Sequence, residues 1–365
     1  MKDVVIVGGG ASGVCVAIEI KKINKNLNVL ILEQNDKVLK KLLKTGNGKC
    51  NISNSNITKE KYNDFSLIES NMKNIDINQY FFDLGLILKE TDLNRVYPYS
   101  ENSGSVVNIF LEAIRKYNIE VITNYKVSKI EKENDLFVIN NKIKSKYLIL
   151  STGSCAQEKT NGYDIIRSFD INVSKLEPGL VNLETKESTI ALKGLRIKCK
   201  TVINNQDYYG ELLFKDNGLS GIISFDISRV VTNNDIVLFD LAPEFTEKQL
   251  YDLLTSNNLD IVLNGLFPKM VSLDLIKRSN RQIDKLIKEI KSYKFTIKGK
   301  GSFENAQIAL GGVYVDELKN NFESKKISNL YITGEVINVD GASGGYNLYF
   351  AWLSGITAAR SIANN

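Results

Sequence analysis

Histidine is absent from all 365 residues. That removes imidazole acid–base catalysis, a His-ligated metal and any cofactor tethered through imidazole. A proton donor has to be Tyr, Lys, Arg, Cys, Asp, Glu or water. Cysteine is scarce as well: Cys15, Cys50, Cys155 and Cys199 are scattered and form no C-x-x-C. The usual redox dithiol is excluded, and no structural zinc or other metal is expected. No uninterrupted apolar run reaches the roughly 18 residues of a membrane-spanning helix. The N-terminus enters a strand within a few residues and lacks signal-peptide architecture, so a cytoplasmic location is expected. The net charge of +5 comes from interspersed Lys and acidic residues. It makes no clustered basic face, so no nucleic-acid partner is expected. A hydrophobic content of 43% with 24% charged residues is ordinary for a globular chain. The length allows two or three domains with a real core. The oligomeric state is not readable from the sequence.

Glycine is concentrated at the two ends. Gly8-Gly9-Gly10-Ala11-Ser12-Gly13 directly follows the apolar run Val4-Val5-Ile6-Val7. Gly8, Gly10 and Gly13 have G-x-G-x-x-G spacing: the first permits a tight turn, the second lets a pyrophosphate approach the backbone, the third lets the next helix pack close. That helix is predicted from Ala11 to about Asn24, and its opening N–H groups and dipole favour an anion. A second strand, Val29-Leu30-Ile31-Leu32, ends at Glu33, 20 residues beyond Gly13. This is the separation expected of a carboxylate that bonds a ribose hydroxyl, with Gln34 beside it. The other segment, Gly341-Ala342-Ser343-Gly344-Gly345-Tyr346-Asn347-Leu348, precedes an apolar helical tail. One segment alone suggests any dinucleotide; the pair points to FAD and redox chemistry.

Between them, helices are predicted over 76–88 and 104–117. Strands are predicted at Glu120–Thr123, Lys126–Glu131, Leu136–Asn140 and Lys146–Leu150. The character changes near Leu180. Strand-like runs follow at Thr189–Leu192, Arg196–Ile203, Ile222–Asp226 and Ile236–Asp240. Residues 243–292 read as helical, with Pro243 early in a helix and Pro268 as a break. Parallel-sheet character returns at Ala306–Leu310 and Leu330–Thr333. The expected class is α/β: a dinucleotide-binding domain into which the middle of the chain is inserted, the alternative being two consecutive domains, which the C-terminal glycine-rich loop disfavours. The boundaries are 1–180 and 306–365 for the FAD-binding domain, 181–242 with about 293–305 for the β-rich part, and 243–292 for the helices.

Lys41-Leu42-Leu43-Lys44-Thr45-Gly46-Asn47-Gly48-Lys49-Cys50-Asn51-Ile52-Ser53-Asn54 is a polar, glycine-bearing loop. It can supply backbone N–H groups to an anionic or polar ligand; as a mere connection it would be long. With Arg95-Val96-Tyr97-Pro98, Gly218-Leu219-Ser220-Gly221, Gly311-Gly312-Val313, Gly334-Glu335 and Asp340–Asn347, it resembles the BaiN-like (aminoacetone-oxidase-like) family of FAD-dependent oxidoreductases over nearly the whole chain. The resemblance implies a three-part architecture, in which a Rossmann-like FAD-binding domain is split by an inserted β-barrel-like domain and a small helical insert; it also implies FAD, and NADH or NADPH as electron donor. It also implies a small ketosteroid-like or carbonyl substrate. The chain departs from the family at Lys49, where the family has Arg, and in a shortened segment at Ser151–Tyr163.

The cofactor-binding expectation covers Gly8, Gly10, Ala11, Ser12, Gly13, Glu33, Gln34, Lys41, Leu42, Thr45, Gly46, Asn47, Gly48, Lys49, Cys50 and Asn51. Val127 is expected to hold adenine through its backbone. Thr152, Gly153, Gly334 and Glu335 terminate apolar strands, where ligands of open α/β sheets sit. Asp340, Gly345, Tyr346, Asn347 and Leu348 open the last helix, whose dipole would stabilise charge on a reduced flavin ring. Candidate proton donors are Tyr346, Tyr97, Lys49 and Arg95. The leading expectation is an FAD-dependent oxidoreductase acting on a small unsaturated or carbonyl compound, or on oxygen. Two alternatives stay open: a flavin-binding redox sensor without turnover, and an FAD-dependent RNA-modifying enzyme.

Overall fold

Four apolar strands end side by side. In the computed structural model, which describes residues 1–364, strand β1 (Lys2–Val7) lies between β2 (Val29–Leu32) and the strand Ile143–Leu150, all parallel. Val7 is level with Leu32 on one side and Leu150 on the other, and Leu150 in turn pairs with Ile332 of the strand Leu330–Ile332. These residues are buried, as expected of a parallel sheet covered on both faces. Helix α1 (Ala11–Ile23) makes the crossover from β1 to β2. The C-terminal helix Tyr346–Ala363 packs along α1, with a close approach at Gly355, whose side-chain position meets the Ser12 carbonyl at 2.9 Å. The strand Glu120–Ile122 extends the far edge beyond β2, and an antiparallel hairpin (Ile130–Glu133, Leu136–Ile139) joins the other side of Ile143–Leu150.

The Rossmann-like class expected from the sequence is what the chain adopts. Its details differ at several places. No strand runs through 126–129; pairing starts at Ile130, because Asn140 Oδ1 takes the N–H groups of Ser128 and Lys129 into a loop instead. The helix expected over 76–88 ends at Asp83; Gly85, at φ +92°, turns the chain into the strand Leu88–Thr91. That strand pairs with Arg95–Pro98, which also pairs with Ser53–Asn54, forming a small antiparallel sheet.

Two compact units divide the chain: residues up to Glu177 together with those from Ile308 onward, and Pro178–Gln307. The second unit holds a closed antiparallel barrel of six strands: Leu183–Thr185, Gly218–Ser220, Gln206–Lys215, Arg196–Ile203, Ile236–Asp240 and Tyr293–Lys300. Its inward Leu212, Phe214, Phe239 and Phe295 share a core with four helices, Glu247–Ser256, Leu259–Leu266, Lys269–Ser279 and Ile283–Lys291. Two expected strands are absent there. Ile190–Leu192 is a single 3-10 turn. Residues Ile222–Ile227 form a helix after Gly221 (φ +90°), burying Ile223, Ser224 and Ile227 at helical rather than alternate spacing. Pro243 precedes the helix it was expected to begin; the start is set by Thr246 and Gln249, which cap each other. Pro268 breaks the helical stretch as expected, at the N-cap of Lys269–Ser279.

Candidate functional site

The ends of β1, β2 and Ile143–Leu150 open into a groove with about 750 Å³ of atom-free space. Its floor is the turn Gly8–Gly10, and the three fingerprint glycines do different work. A side chain on Gly8 (φ +107°) would sit 2.3 Å from the Ser151 carbonyl, and one on Gly13 would sit 2.0 Å from the Gly8 carbonyl. Both are therefore closure points of strand, turn and helix. Gly10 has no protein atom within 4 Å of its side-chain position. Its bare flank is where a phosphate-bearing ligand can reach the backbone.

Glu33 is buried in this wall. One carboxylate oxygen accepts from the Gly9 amide at 2.7 Å, and the other from the amide and side chain of Asn35 at 2.8 and 2.9 Å. The carboxylate thus fixes the turn, and the lone pairs left on its oxygens can still accept hydroxyls. Gln34, Lys41, Val127, Thr152 and Gly153 also line the groove. The Lys41 ammonium donates to the Ser154 carbonyl at 3.0 Å, tying the polar loop to the end of the third strand.

Two residues here carry no sequence motif: Asn161, which donates to the Val127 carbonyl at 2.8 Å, and Glu158, which lines the groove from the shortened segment. The Asn161 contact occupies one of the two lone pairs on the carbonyl expected to hold adenine.

Ala11, Ser12 and Gly13 do not line the groove. Ser12 is buried against Gly334 and Gly355, and its hydroxyl has no hydrogen-bond partner. Leu42 belongs to the core, and Thr45 Oγ1 donates to its carbonyl at 2.7 Å. Gly46, Asn47, Gly48 and Cys50 all have positive φ, which coils the loop and directs its amides out of any regular ladder. Cys50 is fully buried, and burial pushes its thiol up to about 12, so it is no reactive thiol. Lys49 is exposed and bonds Glu101 at 2.6 Å; its ammonium is held on the surface.

The glycine-rich C-terminal loop meets the polar loop directly. Asn54 Nδ2 donates to the Gly344 carbonyl at 3.1 Å, and Tyr62 donates to the Tyr346 carbonyl at 2.9 Å with the two rings edge-on. Asn347 closes its own loop by bonding both the amide and the carbonyl of Gly341. Leu348 follows on the same helix, and Gly345 (φ +100°) caps it. A side chain at Gly345 would strike the Ser53 carbonyl at 2.2 Å. Asp340 is buried; its carbonyl accepts from the Asn63 amide, and its amide donates to Asn63 Oδ1. Glu335 accepts from the Ala309 amide at 3.4 Å. Tyr97 lies 3.5 Å from the side-chain position of Gly46.

An FAD molecule suits this donor set. Besides the bare flank of Gly10, the buried Asn51 Oδ1 and the Thr152 hydroxyl have no partner in the protein, and each needs one.

A family model described as "HI0933-like protein Rossmann domain" matches residues 2–361, and the chain belongs to that family. It is 29% identical to the 3-dehydro-bile acid delta(4,6)-reductase of Clostridium scindens, covering 100% of this chain and 99% of that protein. It is 27% identical to the ribosomal RNA dihydrouridine synthase of Haemophilus influenzae, covering 98% of each. Among solved structures, the 3-ketosteroid-delta4-(5alpha)-dehydrogenase of Rhodococcus jostii RHA1 in complex with 4-androstene-3,17-dione superposes with a TM-score of 0.54. It is 12% identical and covers 100% of this chain and 97% of that one, a likeness of fold alone. No helix among the described residues is long and apolar enough to cross a membrane.

Proposed function

We propose that this member of the HI0933-like family is an FAD-dependent reductase. It takes hydride from NADH or NADPH and delivers it to a carbon–carbon double bond conjugated to a carbonyl group in a small molecule. The observation that carries the reading is the pairing of the Gly10 flank and Glu33 wall with a second glycine-rich helix start at Gly345. When bound, FAD supplies a ring that accepts two electrons from one partner and returns them to another.

The chain's own residues have distinct tasks. Glu33 would bind the ribose, and the turn Gly8–Gly10 with its bare flank at Gly10 would receive the pyrophosphate. Val127, with Asn161, borders adenine. The amides of the 45–51 loop and the Asn51 side chain serve the ring and its ribityl chain. The N-terminal dipole of the last helix favours negative charge where the ring is reduced.

Reducing the conjugated bond adds hydride at the β-carbon and a proton at the α-carbon. Tyr97 and Tyr346 carry dissociable protons. A guanidinium holds its charge and is a poor proton donor. Lys49 is committed to Glu101.

The relatives' names support two substrate classes with this bond in common. A 3-dehydro bile acid with a double bond at position 4 is a cyclic enone. The uracil ring double bond reduced to dihydrouridine is conjugated to a carbonyl as well. The small-molecule reading stands first; ribosomal RNA is the second, favoured by two relatives that carry that name.

Anaerobic titration of the yellow protein with NADH and NADPH tests the first step, with bleaching of the visible bands expected for one of them. Yellow protein that resists both donors would leave a redox sensor. Assay of a 3-oxo-4-ene steroid against unmodified ribosomal RNA separates the substrates.

A further inference from the structure

Three side chains converge on one point beside Gly344. Arg95 Nε and Tyr346 Cε2 each lie 3.6 Å from the side-chain position of Gly344, and Asn54 Nδ2 lies 3.7 Å from it. Gly344 has φ +121°, a conformation that keeps this point free of a side chain. Asn54 is spent on the carbonyls of Leu93 and Gly344. Arg95 is not. It is half-buried, and no carboxylate pairs with it among the described residues, although Arg278 and Arg360, also partly buried, each have one. A half-buried cation without a counter-charge keeps part of its desolvation cost uncompensated, and an anionic ligand would offset it.

Its backbone explains how it is aimed. Arg95 and Tyr97 are two residues apart on the strand Arg95–Pro98, so they share a face, while Val96 turns into the core. That face borders both glycine loops: Arg95 meets Gly344, and Tyr97 meets Gly46.

We propose that Arg95 is an oxyanion anchor, binding the carbonyl oxygen of the substrate, with α,β-unsaturated carbonyl compounds as the ligand class. The assignment rests on the reading that a conjugated double bond is reduced. As hydride bonds to the β-carbon, the π pair of the double bond shifts toward the α-carbon and the carbonyl π pair moves onto oxygen, giving an enolate. The guanidinium balances that negative charge. A proton then bonds to the α-carbon, the enolate pair forms that C–H bond, and the carbonyl re-forms. Stabilisation of charge that develops in the transition state by a fixed donor in a partly dry site is among the largest catalytic effects available. The fork of Arg matters, because it can hold an oxygen and a neighbouring acceptor together, as a point charge cannot.

The test uses holoprotein and 4-hydroxybenzaldehyde, a planar carbonyl-bearing phenol, followed through perturbation of the visible flavin bands between pH 6 and 9. Wild type is expected to bind the phenolate form in preference to the phenol. Arg95→Met is expected to bind at least tenfold more weakly and to lose that preference, whereas Arg95→Lys retains it with a smaller loss. FAD content per chain is read for each variant. Three results overturn the anchor: no response from wild type up to the solubility of the probe, Arg95→Met binding within twofold of wild type, or Arg95→Met losing FAD. The last would make the residue a cofactor ligand. Wild type that binds the probe through Arg95 but is bleached by neither NADH nor NADPH would keep the anchor while removing the proposed donor.

Discussion

The Gly9 amide and the Glu33 carboxylate are 2.7 Å apart across the mouth of the parallel sheet, joining residues 24 positions apart in the chain. One side chain therefore fixes the shape of the Gly8–Gly10 turn and, in the proposed cofactor site, would also meet the ribose. Removing it disturbs both. A charge-assisted hydrogen bond contributes about 1.5–3 kcal/mol, so Glu33→Ala is expected to weaken FAD binding by about 10- to 100-fold. Glu33→Gln, which keeps an acceptor and the length, is expected to lose less. Calorimetric titration of FAD into apoprotein measures both. Equal affinity for wild type and Glu33→Ala would remove the residue from the cofactor site.

Gly13 has a different dependence. Its side-chain position lies 2.0 Å from the Gly8 carbonyl, a backbone atom that cannot rotate away. Gly13→Ala forces α1 away from the turn, with an overpacking cost of about 1–3 kcal/mol. Thermal unfolding of the apoprotein is expected to shift down by a few degrees, and FAD affinity to fall with it. Gly10→Ala has no such clash, so its apoprotein should melt like wild type while FAD binding falls. A Gly10→Ala protein that melts low but binds FAD normally would reverse these roles.

The elements that could be read from sequence were those with a strong local signature. Val4–Val7 and Val29–Leu32 are apolar at every position, and the fingerprint glycines sit where spacing puts them. Of the strand expected over Lys126–Glu131 only Ile130 and Glu131 pair, because Asn140, just beyond the strand Leu136–Ile139, captures the amides of Ser128 and Lys129. The helix at Ile222–Ile227 was hidden because a short apolar run fits either period, and only Gly221 marked the change. In the site, Glu33 and the 41–54 loop were legible because their chemistry lies close to a motif. Asn161 and Tyr62 were not: each acts through a contact with a residue far along the chain, Val127 and Tyr346 respectively. The partnerless state of Arg95 is likewise a property of the folded chain, since it depends on where every carboxylate has gone.

The four cysteines should separate cleanly by reactivity. Cys15, Cys50 and Cys199 are buried, and burial holds all three thiols high; Cys155 is only partly buried, and its smaller upward displacement has the same main cause. A disulfide reagent at pH 8 is expected to label one thiol per native chain and four in guanidinium. Cys155→Ser should abolish the native reaction. Because the thiolate is the attacking species, the rate at Cys155 should climb as pH rises. Rapid native labelling of Cys50 would contradict its burial.

Acid should release the polar loop before it unfolds the protein. Glu101 receives Lys49 and Lys89, each at 2.6 Å, and these bonds hold its carboxyl down at about 2, from an ordinary 4.5. A carboxylate depressed on folding binds its proton less readily in the native state than in the unfolded one. Its stabilising contribution is therefore present above about 4.5 and lost as pH falls toward 2. The pair is exposed, so salt should weaken it over the whole range. Limited proteolysis with pepsin at pH 4 and pH 2.5 is expected to show cleavage within 41–54 only at the lower value. In Glu101→Gln the loop should already be open at pH 4. Equal cleavage of wild type and Glu101→Gln at pH 4 would show that the loop is held by its buried contacts, Lys41 to Ser154 and Asn54 to Gly344, and not by the surface charges.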